Sequence, residues 1–353
     1  MSRIDGTVAK IPPLDTAAMQ AARARQDILT KPQGSLGRLE EISIRIAGIQ
    51  GRPCPEVSWK AVFVMAGDHG CVAEGVSAYP QEVTPQMVAN FAAGGAAINV
   101  LARHVGVRVI VVDMGVAGEC RSEKVLSRKV APGTRNLTLG PAMSAAEARQ
   151  CLETGIELLE SELSRGLDLV GIGDMGIGNT TPSAAIIAAI TRRSPRDVTG
   201  RGTGIDDARL ATKISVIERA LAVNEPDPSD ALDVLAKVGG FEIGGLAGVI
   251  LAAAAYRIPV VIDGVISSAA ALIATTLAPQ SRDYLTAGHL SVEPGHGAAL
   301  EYMKLEPVLD LGMRLGEGTG GVLAMSIIEA AVKTLNEMAT FHEAGVSEAL
   351  DEV

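Results

Sequence analysis

Four short apolar runs rich in β-branched residues punctuate this chain: AVFVMAGDHG (61–70), VRVIVVDMG (107–115), LDLVGIGDMG (167–176) and IPVVIDG (258–264). Each closes on Gly and Asp. Long Ala-rich stretches with helical character lie between them, such as VTPQMVANFAAGGAAINVLARH (83–104) and SAAEARQCLETGIELLESELSRG (144–166). Continuous apolar strands alternating with helices can bury both strand faces only as a parallel sheet covered on both sides, so the pattern predicts an α/β fold. Ligands of such sheets sit in the crevice beyond the carboxyl ends of the strands. Those ends carry Asp68 and His69, Asp113, Asp174 and Asp263. Taken singly, an Asp or Gly there caps a helix or turns a corner. Four repeats of the pattern point to a common crevice.

Composition agrees with a large core. Of 353 residues, 47% are hydrophobic and only 20% charged, and small aliphatic side chains dominate over aromatics at 3%. The formal net charge of −10 argues against nucleic acid or an anionic membrane as partner, either of which wants a basic face. It leaves room for a small phosphorylated ligand. Cys54, Cys71, Cys120 and Cys151 are widely spaced and read as reduced thiols of a cytoplasmic protein. The first fifteen residues contain no apolar core of a signal peptide. The longest apolar stretch, 243–256, has the length of a buried helix and falls short of a membrane span. Residues 14–50 read as helical with Asp15 as N-cap, and the chain reads as helical again after about 300. The expected division is a helical part at 1–59, an α/β part at 60–297 and a second helical part at 298–353.

Two glycine loops carry the chemistry. In VGIGDMGIGNTTPSAA (170–185), Gly171, Gly173, Gly176 and Gly178 precede Asn179, Thr180, Thr181 and a helix-opening Pro182. A glycine loop feeding a helix N-terminus makes an anion cradle from backbone N–H groups and the helix dipole. In TGRGTGIDD (199–207), Gly200, Gly202, Thr203 and Gly204 repeat the arrangement, and Lys213 follows two turns into the next helix. Residues 171–176 match G-x-G-x-x-G, but no strand ending in an acid follows at the distance a dinucleotide fold needs. A P-loop motif is absent, and a phosphate monoester is the better inference. A third loop, MRLGEGTGG (313–321), sets Glu317 between two glycines with Arg314 one turn earlier. An acid there is either a solvated turn residue or a reactive group.

In order along nearly the whole chain, KPQGSLGRLE (31–40), AGDHGCVAEGVSAYPQEVT (66–84), GIGDMGIGNTTPSAA (171–185), GRGTG (200–204), KVGGFEIGGLAG (237–248), IDG (262–264) and MRLGEGTGG resemble the nicotinate-nucleotide–dimethylbenzimidazole phosphoribosyltransferase family. The resemblance implies a Rossmann-like domain, a small helical domain built from both termini, and a homodimer. It implies that Glu317 is the catalytic base. It also implies that Gly176, Gly178, Asn179, Thr180, Gly202, Thr203, Gly204 and Lys213 hold phosphate and ribose, and that Tyr79 and Met87 border the base pocket. Asp174 departs from the family, where glutamate is common, and its reach is one methylene shorter.

The implied reaction moves phosphoribose from nicotinate mononucleotide to 5,6-dimethylbenzimidazole, in cobalamin synthesis. Nicotinate leaves from a pyridinium and needs no general acid, so a single general base suffices. Negative charge near the oxocarbenium-like transition state would help, and Asp174 or Asp263 could supply it. Arg314 reads as a loop-holding or anion-pairing residue. The scheme demands no metal or cofactor, and the five histidines show no metal-ligand spacing. The readings to exclude are a nicotinamide-dependent oxidoreductase and a non-catalytic metabolite-binding protein.

Overall fold

The computed structural model describes residues 2–120 and 122–347. Its centre is a sheet of seven parallel strands: β1 (Lys60–Gly67), β2 (Val107–Gly115), β3 (Val125–Ser127), β4 (Leu169–Met175), β5 (Val260–Ile262), β6 (Leu285–His289) and β7 (Pro307–Leu309). The order is β3-β2-β1-β4-β5-β6-β7. The chain therefore builds outward from β1 in one direction and then in the other, and the crevice opens where the order reverses, between β1 and β4.

Every residue of β1 is buried. Its alternate side chains serve two different helix layers. Met65 points at Gly245 in the Phe241–Ala255 helix, whereas Val62 faces Gly318 and the Thr319–Glu337 helix that packs on β4, β5 and β6. This is why the strand reads as a continuous apolar run with no alternation. The tightest helix crossing lies between Ala145–Glu162 and Phe241–Ala255. There a Cβ on Gly155 would strike the Gly245 carbonyl, and one on Gly248 would strike the Leu152 carbonyl.

The four runs of the sequence are β1, β2, β4 and β5. The other three strands have three to five residues each and, unlike the three-residue β5, sit in no longer apolar run. Of residues 302–315, expected to be helical, only 302 and 303 are so; the chain leaves the Pro294–Met303 helix at Lys304, and 307–309 form the edge strand β7. Pro307 has no N–H to give a ladder, and an edge strand tolerates that. Gly171 and Gly173, expected in a loop, lie inside β4. The expected helix over 14–50 is two helices, Thr16–Asp27 and Arg38–Gln50, separated by a segment containing Pro32 and left-handed Gly34 and Gly37. Asp15 caps the first of these through the Ala18 N–H, at 2.9 Å.

The two ends of the chain meet. The helices Thr16–Asp27 and Arg38–Gln50 pack on Thr319–Glu337, with Ala22, Ile44, Ala47 and Leu335 in one apolar cluster. The Arg25 guanidinium donates to the Leu335 and Asn336 carbonyls, and Leu29 bridges to Thr340. Among the described residues no helix is long and apolar enough to cross a membrane.

The backbone-on-backbone crossing at Gly155 has a measurable consequence. Gly155→Ala inserts a methyl where a carbonyl already sits, and overpacking of that kind costs about 1–3 kcal/mol. A thermal melt should show a midpoint several degrees lower; an unchanged midpoint would show that the two helices separate at no cost.

Candidate active site

Glu317 stands in a strained loop. Gly316, Glu317 and Gly318 all have left-handed φ, at 86°, 63° and 89°. Glycine accepts this freely, but for glutamate it costs roughly 1–2 kcal/mol. Two contacts enforce it. The Glu317 carbonyl presses on the Cα of Gly173 in β4, at a place where any Cβ would collide. Behind the loop, Asp263 at the end of β5 accepts from the Gly318 N–H at 3.2 Å and the Gly321 N–H at 2.9 Å. Asp263 is fully buried, its carboxyl raised by burial while neighbouring His289 opposes the rise. Its oxygens are thus committed to the loop.

The Glu317 side chain is only 6% exposed, which removes the solvated-turn reading. Its Oε2 accepts from the Ile98 N–H at 3.2 Å, in the first turn of the Ala97–Val105 helix. Burial raises its pKa and the charge of Asp263 raises it further, while the Ile98 N–H pulls the other way. Asp174, at the end of β4, lies alongside: a Cβ on Gly316 would sit 3.5 Å from both its oxygens. The Asn179 amide donates to Asp174 Oδ2 at 2.8 Å, while Oδ1 has no partner among the described residues. Burial above all, then the charge of Asp263, pushes this carboxyl up to about 8. At neutral pH Asp174 is mostly protonated and can donate a hydrogen bond.

The two glycine loops meet at Lys213. This lysine is 1% exposed, and its ammonium donates to Thr180 Oγ1 at 2.7 Å and the Gly200 carbonyl at 3.2 Å. Burial lowers its pKa to about 8. The helix after the first loop starts at Thr180, with Asn179 in the N-cap position, two residues earlier than the expected start at Pro182. Asn179 does not cap because its side chain is turned to Asp174. Gly176 packs on the Gly67 carbonyl, and Gly178 is left-handed at φ 87°. In the second loop, left-handed Gly202 and Gly204 flank Thr203, whose Oγ1 accepts from the Ala78 N–H at 3.1 Å. Arg314 donates to the Gly202 carbonyl at 3.0 Å and thereby ties the Glu317 loop to the cradle.

Tyr79, the next residue after Ala78, is 55% exposed, and Met87 is half-buried against the main core. The other strand-end residues are taken up internally. Asp68 accepts from the Ala117 N–H and Asp113 from the Val116 N–H, both on backbone. His69 is buried in a 2.8 Å pair with Glu242, behind Gly176. Sequence reasoning missed Glu242 and also Glu293, whose Oε1 accepts from the Gly202 N–H at 2.9 Å. Glu242 lies in an all-apolar helix, an anomaly that marks a buried partner; Glu293 stands before Pro294 and looks like an ordinary helix start. Among the described residues no group of three or more His, Cys, Asp or Glu side chains is disposed to hold a metal ion.

The geometry thus joins one buried, strained carboxylate to a glycine and lysine cradle suited to an anion. Comparison with known proteins agrees. Residues 11–346 match a family model described as phosphoribosyltransferase. A nicotinate-nucleotide–dimethylbenzimidazole phosphoribosyltransferase of Desulforudis audaxviator is 61% identical over 344 residues, covering 97% of this chain and 98% of its own. One from Chloroflexus aggregans is 63% identical over 349 residues, covering 99% of both. The crystal structure of the Thermus thermophilus protein of that name superposes with a TM-score of 0.90 at 48% identity, over 95% of this chain and all of its own. On sequence and fold together, this chain belongs to the nicotinate-nucleotide–dimethylbenzimidazole phosphoribosyltransferase family.

Proposed function

We propose that this protein transfers the phosphoribosyl group of nicotinate mononucleotide to 5,6-dimethylbenzimidazole, giving α-ribazole 5′-phosphate and nicotinate for cobalamin synthesis. Family membership supports the reaction. The observation that carries the residue roles is the loop 314–318, which holds the buried Glu317 carboxylate at one end and bonds the phosphate cradle through Arg314 at the other.

The chemistry follows from these groups. The bond from C1′ to the pyridinium nitrogen breaks with its electron pair going to nicotinate, which leaves neutral at nitrogen. An unprotonated benzimidazole nitrogen attacks C1′ from the opposite face, so a β-nucleotide becomes an α-product. The new cation then loses the proton of its second nitrogen to the Glu317 carboxylate. Charge on Glu317 favours the oxocarbenium-like transition state, while Asp263, with both oxygens on the loop amides, holds that carboxylate in place. Asp174 contributes a hydrogen bond rather than charge at neutral pH, through Oδ1, which has no partner among the described residues. Thr180, Lys213 and the amides of Gly176, Gly178, Gly202 and Thr203 take the phosphate, with Gly204 closing the loop through its bond to the Arg201 carbonyl. Tyr79 and Met87 border the incoming base. The division into a helical part at 1–59, an α/β part at 60–297 and a last part at 298–353 that gives strand β7 to the sheet before its helices, the homodimer and the cytoplasmic location belong to the same proposal.

Incubation of the protein with nicotinate mononucleotide and a panel of benzimidazoles, purines and phenols tests the reaction. Release of nicotinate with formation of an α-nucleotide is the expected result; no turnover with any base overturns it. Glu317→Gln keeps shape and reach but cannot accept a proton. It should fold with an unchanged melting midpoint and lose about 10²–10⁴-fold in kcat. Only the ionised base is active, and its pKa is raised, so activity should fall as pH drops through a value above the ordinary 4.5. An acid limb at or below 4.5 in the kcat/KM profile would remove Glu317 from that role. Lys213→Ala should raise KM for the mononucleotide at least tenfold while leaving KM for the base within twofold, since a buried charge-assisted hydrogen bond is worth about 1.5–3 kcal/mol. Equal effects on both constants would count against phosphate binding by Lys213.

A further inference from the structure

Glu293 puts a carboxylate into a cradle built for anions. It is the N-cap residue of the Pro294–Met303 helix, yet its side chain makes no bond to that helix. Instead it reaches across to the second glycine loop. Oε1 accepts from the Gly202 N–H at 2.9 Å, and the whole carboxylate lies on the Cα of Gly200, where a Cβ would strike both oxygens. The residue is 7% exposed. The same loop receives Lys213: its ammonium bonds the Gly200 carbonyl and would sit 3.2 Å from a Cβ on Gly202. Among the charges around Lys213, Glu293 is the one that most favours its charged form.

Resting on the phosphate assignment above, we propose that Glu293 is a built-in stand-in for the substrate phosphate, occupying the Gly200–Gly202 face of the cradle and yielding it when a phosphate monoester binds. A buried lysine needs an anion, and a buried glycine amide aimed at a ligand needs an acceptor. With Glu293 in place, both demands are met before substrate arrives. A phosphate dianion cannot share that low-dielectric space with a second carboxylate without strong repulsion. Binding must therefore displace Glu293 from the Gly202 N–H. Only a ligand that offers Lys213 and the amides more than a carboxylate does will compete, which favours phosphate esters over carboxylates.

Calorimetric titration with inorganic phosphate tests this, on the full-length parent and on Glu293→Gln, Glu293→Ala and Lys213→Ala. Glutamine keeps an oxygen for the Gly202 N–H and removes only the charge; alanine clears the cradle. Both should bind phosphate at least tenfold more tightly than the parent, with melting midpoints within a few degrees of it. Tighter binding by both variants, including binding where the parent shows none, bears the proposal out. Variants that bind phosphate no better than the parent overturn it, and weaker binding would mean that Glu293 only shapes the loop. If Lys213→Ala loses phosphate while neither Glu293 variant gains, the stand-in is wrong and the phosphate assignment stands. If parent and all three variants bind none, both are wrong.

Discussion

The Asp263 carboxylate, with the Gly318 and Gly321 amides on its two oxygens, holds the Glu317 loop against the end of the sheet. The loop's three left-handed residues would relax to solvent if this clamp were absent, because nothing intrinsic favours φ 63° for a glutamate. Asp263 is in turn held by strand β5, in the middle of the sheet's longer wing. The position of the proposed base thus descends from strand order through one side chain. The opposing surface is Gly173, where β4 gives up a side chain so that the Glu317 backbone can press on it.

Burying three carboxylates close together has an electrostatic consequence. Asp174, Asp263 and Glu317 are all shifted upward, burial being the largest cause for each. At Asp263 the loop amides and His289 oppose the rise and favour its ionised form. That charge then makes its two neighbours weaker acids. The outcome is a division of labour: one carboxylate fixes the loop, one is a strengthened base, and one is held near neutrality as a hydrogen-bond donor. The cradle repeats the logic with opposite sign, since Lys213 is buried and Glu293 is its nearby counter-charge.

Much of the architecture follows from sequence alone, and particular residues show why. The runs at 61–70, 107–115, 167–176 and 258–264 could only be buried strands, and their shared Gly–Asp endings marked the crevice. The motif order from 31 to 321 identified the family and singled out Glu317, Lys213 and both glycine loops for the proposed roles. Residue types were legible because the chemistry is local: a glycine loop before a helix is an anion cradle wherever it occurs.

Tertiary structure decided what depends on partners far apart in the chain. Asp263 looked like a charge for the transition state, but only the folded chain brings the amides of residues 318 and 321 onto its oxygens. Gly173 looked like part of a phosphate loop, but it lies in β4 because another backbone needs the space. Strands β3, β6 and β7 exist because neighbours supply their hydrogen bonds, and no extended apolar run marks them. Glu293 was invisible because its partner, Gly202, is 91 residues away. A sequence specifies which groups are available and which local shapes they prefer; burial and long-range hydrogen bonds, which set each group's charge and task, come into being only when the sheet closes around them.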